Sequence, residues 1–167
     1  MRQLSLLLAI TGLLMLCTGC DSGGDDDTSL EEGTLVATID GTSFASTVAT
    51  AVRVPFGNGQ EVLTLTATGQ DLPPTSLQIS LTGFTDDAST YSVTTDGSTA
   101  TVGIPTSTGA STGYSTANAG SSGSVTIDAI SDASVEGTFR FTAVSADGAA
   151  VEVTDGAFNV RLQETGL

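Results

Sequence analysis

The chain contains no histidine, no lysine and no tryptophan among its 167 residues. Without histidine it cannot build a Ser-His-Asp or Cys-His nucleophilic site, or a zinc site ligated by imidazole. Without lysine it can form neither a Schiff base nor the lysine-containing loop that cradles phosphates. These absences exclude most familiar catalytic machinery and leave a pair of carboxylates as the remaining option.

Positive charge is also scarce, because four Arg oppose 19 Asp and Glu and give a net charge of −15. Such a surface repels DNA, RNA and anionic lipid, since binding them requires Lys or Arg at the phosphates. We therefore expect no nucleic-acid partner. The acid-rich, lysine-free composition resembles that of proteins from salt-loving microbes. Because like charges repel within the compact state, we expect the domain to be more stable at high salt.

Only two cysteines are present, and both lie near the N-terminus. Arg2 precedes an apolar run at residues 4–16, which is too short for the roughly 20 helical residues that span a bilayer. Small residues follow the run, as they do at the cut of a signal peptide. Gly19-Cys20 resembles the lipobox of bacterial lipoproteins, although Cys17 stands where that motif usually has Leu.

This resemblance implies that residues 1–19 are a signal peptide, cleaved between Gly19 and Cys20, and that Cys20 then carries lipid such as palmitate. A multi-chain anchor gains about 0.8 kcal/mol per buried CH₂, so the mature protein would be anchored to the membrane without spanning it. Cys17 would leave with the leader, and the mature chain would have no disulfide and no cysteine-based metal site. An ordinary secretory signal with two incidental cysteines is the alternative.

Residues 20–32 are predicted to be a disordered acidic linker, because residues 21–29 offer no apolar surface to bury. An acidic run after the lipidated cysteine resembles surface-export signals, so we expect the outer membrane rather than retention at the inner membrane. A calcium site formed by Asp25, Asp26 and Asp27 is disfavoured, because their spacing does not match an EF-hand loop.

From residue 33 to residue 167 the sequence predicts one all-β domain. No stretch keeps a helical period, and many segments alternate apolar and polar residues between Gly, Asp, Asn or Pro. The clearest is 76–84, where Leu77, Ile79 and Leu81 alternate with polar residues. Strands are predicted at residues 34–39, 43–54, 61–68, 76–84, 89–94, 99–104, 124–130, 135–144, 150–153 and 158–162.

Short, closely spaced strands are typical of an antiparallel sandwich or barrel. We favour a single β-sandwich of about ten strands, with a closed β-barrel as the main alternative. Residues 105–123, nearly all Ser, Thr, Gly and Ala, are expected to form a long mobile loop, with a short strand near Tyr114 as the alternative. A filled core is expected, built around Phe44, Ile79, Leu81, Phe139 and Phe141.

Asp-Gly pairs, one proline and the spacing of apolar residues predict the turns and the buried face of the second strand. Asp-Gly pairs are a strong hairpin signal, and they occur at 40–41, 96–97, 147–148 and 155–156. Pro55 is expected to end the second strand, since proline lacks a backbone donor. The apolar residues expected to share one face of that strand are Phe44, Val48, Val52 and Val54.

Acid pairs are the remaining catalytic candidates, namely Asp86 with Asp87 and Asp128 with Asp132. Acids in turns are more often caps and solvated residues, and nothing nearby predicts the apolar setting that shifts a catalytic pKa. We therefore predict that the chain is not an enzyme and that it needs no cofactor and no metal. Cross-strand ion pairs are expected among Glu136, Arg140 and Arg161.

Aromatic residues outside the core pattern bear on glycan binding. Tyr91 is expected in the core or at its rim, Tyr114 is expected to pin a loop, and Phe56 falls in a turn. Carbohydrate-binding modules usually present an aromatic platform, so the lack of Trp gives a glycan role only weak support.

Three segments resemble an uncharacterised family of small all-β bacterial lipoproteins: ATIDGTSF at 37–44, GTFRFTA at 137–143 and TDGAFNV at 154–160. The resemblance implies a lipoprotein of unknown activity and supplies no catalytic residues. We therefore expect a non-catalytic cell-envelope lipoprotein, structural or binding, with a glycan or an envelope protein as possible partner. A binder of glycan or a small ligand is the alternative, and a carboxylate-dependent hydrolase is a weaker one.

Overall fold

The structure is a computed structural model that describes residues 30–56, 59–70, 74–94 and 97–164. Within these residues the chain forms ten β-strands and no helix. The strands are β1 Thr34–Ile39, β2 Thr42–Phe56, β3 Gln60–Gly69, β4 Ser76–Phe84, β5 Ser89–Ser92, β6 Thr99–Pro105, β7 Ser111–Ser115, β8 Ser122–Ile130, β9 Ser134–Ser145 and β10 Ala150–Glu164. In this part of the chain no helix is long and apolar enough to cross a membrane.

Eight strands close into a barrel in the order β1-β2-β3-β4-β6-β7-β9-β10, with β10 pairing back onto β1. Each neighbouring pair in this ring is antiparallel. β8 pairs with β9 and β5 pairs with β8, which adds two strands to the ring. The predicted all-β antiparallel class is confirmed, and the chain adopts the alternative architecture, a barrel, instead of the favoured sandwich.

The long strand β10 is the physical reason for closure. One edge of β10 pairs with β9, and its other edge pairs with β1 and then, in parallel, with residues 50–53 of β2. Two sheets that would face each other in a sandwich are therefore joined through one strand. Closure satisfies backbone groups that an open sheet leaves at its edges.

The strand directions define two ends of the barrel. The end that carries the turns after β1, β3, β6 and β9 is called the mouth. The opposite end, where the chain enters β1 and where β10 ends, is called the base. Contacts with the residues before β1 are made at the base, where the Asn159 side-chain amide donates to the Leu30 carbonyl at 2.8 Å.

One apolar cluster fills the barrel, as expected for an eight-stranded ring whose interior is just wide enough for side chains. All five residues predicted to fill the core are less than a tenth exposed. The Phe139 ring stacks on Phe141 at 6.1 Å between centroids and tilts against Phe158 at 6.2 Å. Fully burying a side chain of this kind contributes about 1.5–3 kcal/mol, so the filled interior stabilises the fold directly.

The second strand departs from its predicted face and end. The β2–β3 register shifts between Ser46 and Val48, and the buried Ser46 hydroxyl donates to the Val48 carbonyl at 2.7 Å. This bulge turns the later residues over, so Ala49 and Ala51 point inward while Val48 is 67% exposed. The prediction that the four apolar residues share one face was therefore wrong. Pro55 pairs within the ladder and does not end the strand.

The Asp-Gly pairs do not all form hairpins. At 40–41 the pair forms the predicted tight turn, with φ of 48° and 76°. At 155–156 the predicted hairpin is wrong, because β10 continues through it and only its register against β9 shifts. Asp155 alone adopts a positive φ there, 50°, which suits a bulge. The turn at 147–148 is present, and Asp96 lies outside the described residues.

The prediction of one long loop over 105–123 is wrong, but the short strand considered near Tyr114 is present as β7. β7 pairs with β6 along its whole length, and it meets β9 at Tyr114 and Ser115. The buried Thr116 hydroxyl accepts from the Ala100 backbone amide at 2.8 Å. Threonine favours strands, so a composition that indicated a loop is also compatible with a short polar strand of the ring.

Candidate functional site

The predicted lipidation site lies outside the described residues, which begin at residue 30. Nothing is therefore described for Gly19, for Cys20 or for the acids at 25–27. The last residues of the predicted linker do contact the barrel. Glu32 accepts two hydrogen bonds from the Arg161 guanidinium, at 2.7 and 2.8 Å, and the Gly33 amide donates to the Asn159 carbonyl at 2.7 Å.

A charged cluster around Arg53 closes the base. The Arg53 Nε donates to Glu61 at 2.6 Å, its Nη1 lies 2.8 Å from Asp86, and Glu164 lies at 4.0 Å. The guanidinium also sits 5.8 Å from the ring centroid of Phe84. The hydrogen bond to Glu61 is the main cause that raises the pKa of Arg53. Arg53 therefore stays charged and ties β2, β3, the loop after β4 and β10 together.

The sequence analysis did not predict this cluster, although the pairing of β2 with β3 would have indicated the contact between Arg53 and Glu61. Once the turn after residue 56 is recognised, Pro55 pairs with Glu61 and Arg53 falls diagonally opposite that carboxylate. Asp86 arrives from the loop after β4, which only the tertiary fold shows. The role of the cluster is structural, because each contact joins one strand or loop to another.

The predicted acid pairs do not form an enclosed site. Asp86, Asp87, Asp128 and Asp132 are all exposed, and Asp86 is held by Arg53. Asp86 and Asp132 instead line the same small hollow at the base, of about 200 Å³. Within the described ranges no group of three His, Cys, Asp or Glu side chains could hold a metal ion.

The expected cross-strand ion pairs with Glu136 do not form among the described residues. Arg161 makes its ion pair with Glu32 instead. Among the described residues Arg140 makes no ion pair and no side-chain hydrogen bond.

Tyr91 lies at the rim of the core, as predicted. Its ring stacks on Phe84 at 6.3 Å, and its hydroxyl accepts from the Thr85 amide at 3.2 Å and the Ser89 hydroxyl at 3.1 Å. Tyr114 belongs to strand β7 rather than to a loop, and it packs half-buried against the core. Phe56 was predicted to fall in a turn but is the last residue of β2, paired with Gln60; its side chain lies outside the described residues.

A pocket of about 310 Å³ opens at the mouth. Its lining combines apolar side chains that belong to the core or pack on it, Phe44, Ile39, Ile104 and Tyr114, with polar groups from the turns. Asp40, one of these polar groups, is fixed because its carboxylate accepts from the Glu152 amide at 3.1 Å. An apolar floor under a polar rim is the usual composition of a small-ligand pocket.

A larger open groove of about 510 Å³ runs along the outer wall, where β9 lies between β8 and β10. Ser124, Thr126 and Thr138 line it together with Arg140, and the bulge at Asp155 forms its β10 side. A second hollow of about 170 Å³ continues the groove on the other side of Arg140. We call both hollows together the outer groove.

The three segments that carry the family resemblance lie side by side. The first forms the hairpin of β1 and β2, the last lies on β10 next to β1, and the middle one lies on β9 next to β10. Gly156 explains part of the pattern, because a Cβ there would lie 2.5 Å from the Phe139 ring. The resemblance therefore reflects one continuous part of the barrel wall.

The fold and these sites define a closed β-barrel with a filled core and a polar outer groove. Residues 31–160 match the family described as a domain of unknown function, DUF6252. The match covers most of the chain, so the chain belongs to the DUF6252 family, and the predicted membership of an uncharacterised family is confirmed. No curated protein and no solved structure matches the chain.

Proposed function

We propose that the chain is a non-catalytic lipoprotein of the cell envelope, anchored at the outer membrane by lipid on Cys20. The observation that carries this proposal is the apolar run at 4–16 followed by Gly19-Cys20. The position of the chain entry supports it, because the linker reaches the barrel at the base. A tether attached at the base leaves the mouth clear of the linker.

A non-catalytic role is supported by the solvent exposure of the candidate carboxylates. The four acids considered for catalysis are exposed, whereas a catalytic pair needs a setting that perturbs its pKa values. The partner would be a glycan or an envelope protein. Its contacts are expected at the mouth or along the barrel wall, because the base is occupied by the Arg53 cluster and the linker.

Anchoring is tested by fractionating cells that express the wild-type chain, Cys20→Ser or Cys17→Ser. We expect the wild type in the outer-membrane fraction and Cys20→Ser outside the membrane pellet, because it lacks the lipid acceptor. Cys17→Ser is the matched control and should stay membrane-bound, since Cys17 leaves with the leader. Membrane retention of Cys20→Ser would contradict the proposal.

Binding of a small apolar ligand at the mouth is the second candidate, favoured by the pocket over Phe44. It is tested by titrating the chain with the apolar dye Nile red. The exposed Ser43 lines the pocket, so Ser43→Trp should fill it and abolish the fluorescence gain. An equal gain for both proteins would place the dye elsewhere and remove this candidate.

A further inference from the structure

The outer groove holds an arginine that the fold does not use. Arg53 is bound by three acids at the base and Arg161 by Glu32. By contrast, Arg140 makes no ion pair or side-chain hydrogen bond with any other described residue. Its position on β9, between the two hollows, exposes the guanidinium inside a concave surface. A planar guanidinium presents donors in a fork that matches a carboxylate in two parallel hydrogen bonds.

Hydroxyl groups surround Arg140 on both sides. Ser124, Thr126 and Thr138 line the larger hollow, while Ser122, Thr142 and Thr154 line the smaller one. A hydroxyl both donates and accepts a hydrogen bond, so this lining suits a ligand that itself carries many hydroxyls. The apolar rings of Phe139 and Phe141 contribute little, because both residues are buried.

Two acids limit the charge that a ligand can carry. Asp155 lines the larger hollow and Glu152 lines the smaller one, both from β10. A densely charged polyanion would meet these carboxylates next to Arg140 and would be repelled. A ligand with a single carboxylate per sugar unit can reach Arg140 while its hydroxyls donate to Asp155 and Glu152.

We propose that the outer groove binds a saccharide containing uronic acid, with its carboxylate on Arg140 and its hydroxyls on the surrounding Ser and Thr. The groove extends to both sides of Arg140, which suits a chain rather than a single sugar. The inference specifies the glycan partner of the proposed function and in that part rests on it. Because the groove lies on the barrel wall and does not depend on lipid at Cys20, the binding test and the anchoring test can fail separately.

The test is a calorimetric titration of the purified full chain, in mild detergent, with trigalacturonate. Two further probes are its methyl ester, which keeps the hydroxyls but removes the charges, and tri-glutamate, which keeps carboxylates but has no sugar. We expect binding of trigalacturonate only. Equal binding of the methyl ester would overturn the role of the carboxylate, and equal binding of tri-glutamate would point to an acidic peptide instead.

Arg140→Gln should weaken trigalacturonate binding by about tenfold or more, because a charge-assisted, two-point contact is lost. Arg161→Gln is the matched control, since it removes the same charge from an exposed arginine outside the groove, and it should bind as the wild type does. An equal loss in both variants would show a general charge effect and overturn the site. No binding by the wild type would do the same.

A second variant keeps the test valid if Arg140→Gln unfolds. Thr138 is exposed in the groove and makes no side-chain hydrogen bond with another described residue. Thr138→Val preserves shape and strand preference and removes one hydroxyl. It should weaken binding severalfold without changing the melting temperature, and unchanged binding would contradict the proposed hydroxyl contacts.

Discussion

At the scale of single residues, the contact between Gly156 and Phe139 fixes how β9 and β10 pack. A Cβ on Gly156 would lie 2.5 Å from the Phe139 ring and 2.6 Å from the Phe139 carbonyl oxygen. The ring is part of the buried core, and the carbonyl belongs to a paired strand. Neither neighbour can move without disturbing the barrel wall, so this position requires glycine.

We therefore predict that Gly156→Ala lowers the free energy of unfolding by about 1–3 kcal/mol, the usual cost of overpacking a core. Urea unfolding followed by circular dichroism measures the change. Gly113→Ala is the control, because its added Cβ meets nothing within 4 Å, and it should change stability by no more than about 0.5 kcal/mol. Equal effects in both variants would refute the close approach.

Residue-level burial could be predicted from the sequence wherever a strand keeps its register. Leu77, Ile79 and Leu81 alternate inward as expected because the ladder between β3 and β4 is regular from Ser76 to Thr82. Val48 was assigned to the wrong face because one bulge reverses all later side chains. A bulge depends on the partner strand, so the hydrophobic pattern of one strand cannot reveal it.

At the scale of strands, one seam lies outside the backbone pairing of the ring, between the end of β4 and β5. Among the described residues no backbone ladder joins these two strands, and β4 pairs with β6 only up to Ser80. The Tyr91 hydroxyl on β5 accepts from the amide of Thr85, which follows β4, at 3.2 Å, and its ring stacks on Phe84 of β4. The Ser98 hydroxyl, outside both strands, accepts from the Thr82 amide at 3.0 Å. Side chains therefore supply contacts that backbone pairing supplies elsewhere.

We predict that Tyr91→Phe destabilises the domain by about 1 kcal/mol, the net contribution of a typical hydrogen bond. Tyr114→Phe makes the same chemical change where the hydroxyl has no hydrogen-bond partner among the described residues. Its effect on urea unfolding should be close to zero. If the two variants were equally stable, the hydroxyl of Tyr91 would not stabilise the seam.

About ten strands were expected and ten are described, because one strand fewer at β10 is offset by β7. The two strands predicted at 150–153 and 158–162 are the single strand β10, and the short strand considered near Tyr114 within the predicted loop is present as β7. An Asp-Gly pair favours positive φ in a bulge as well as in a hairpin. Which of the two forms depends on β9, which continues alongside both halves of β10.

At the scale of the whole molecule, charge dominates the behaviour in solution. The net charge of −15 arises because only four Arg oppose 19 acids. Self-repulsion of this size opposes the compact state. Salt reduces it, because the screening length falls from about 10 Å at 0.1 M to about 3 Å at 1 M.

We predict that the melting temperature rises by several degrees between 0.05 and about 1 M KCl, flattening as screening becomes complete. Differential scanning calorimetry at constant pH measures it. Sucrose, which stabilises by exclusion from the protein surface rather than by screening, separates the two effects at low salt. A melting temperature that stays constant or falls with KCl would contradict the electrostatic account.

Closure and the outer groove could not be predicted from the sequence. The strands that close the ring, β1 and β10, are far apart in the chain, and alternation of apolar residues is the same in a sandwich and a barrel. The sequence shows that residue 140 is an arginine, but it does not show the groove around it. That groove exists only because β8 and β10 both lie beside β9. By contrast, the predicted anchor rests on a local motif that needs no fold.

The proposed function depends above all on Cys20 being the lipidated first residue of the mature protein. Mass spectrometry of the protein extracted from membranes, and of its N-terminal peptide, can test this. We predict a chain that begins at Cys20 and carries the added mass of fatty acyl groups on that residue. A mature chain that begins elsewhere, or that begins at an unmodified Cys20, would contradict it.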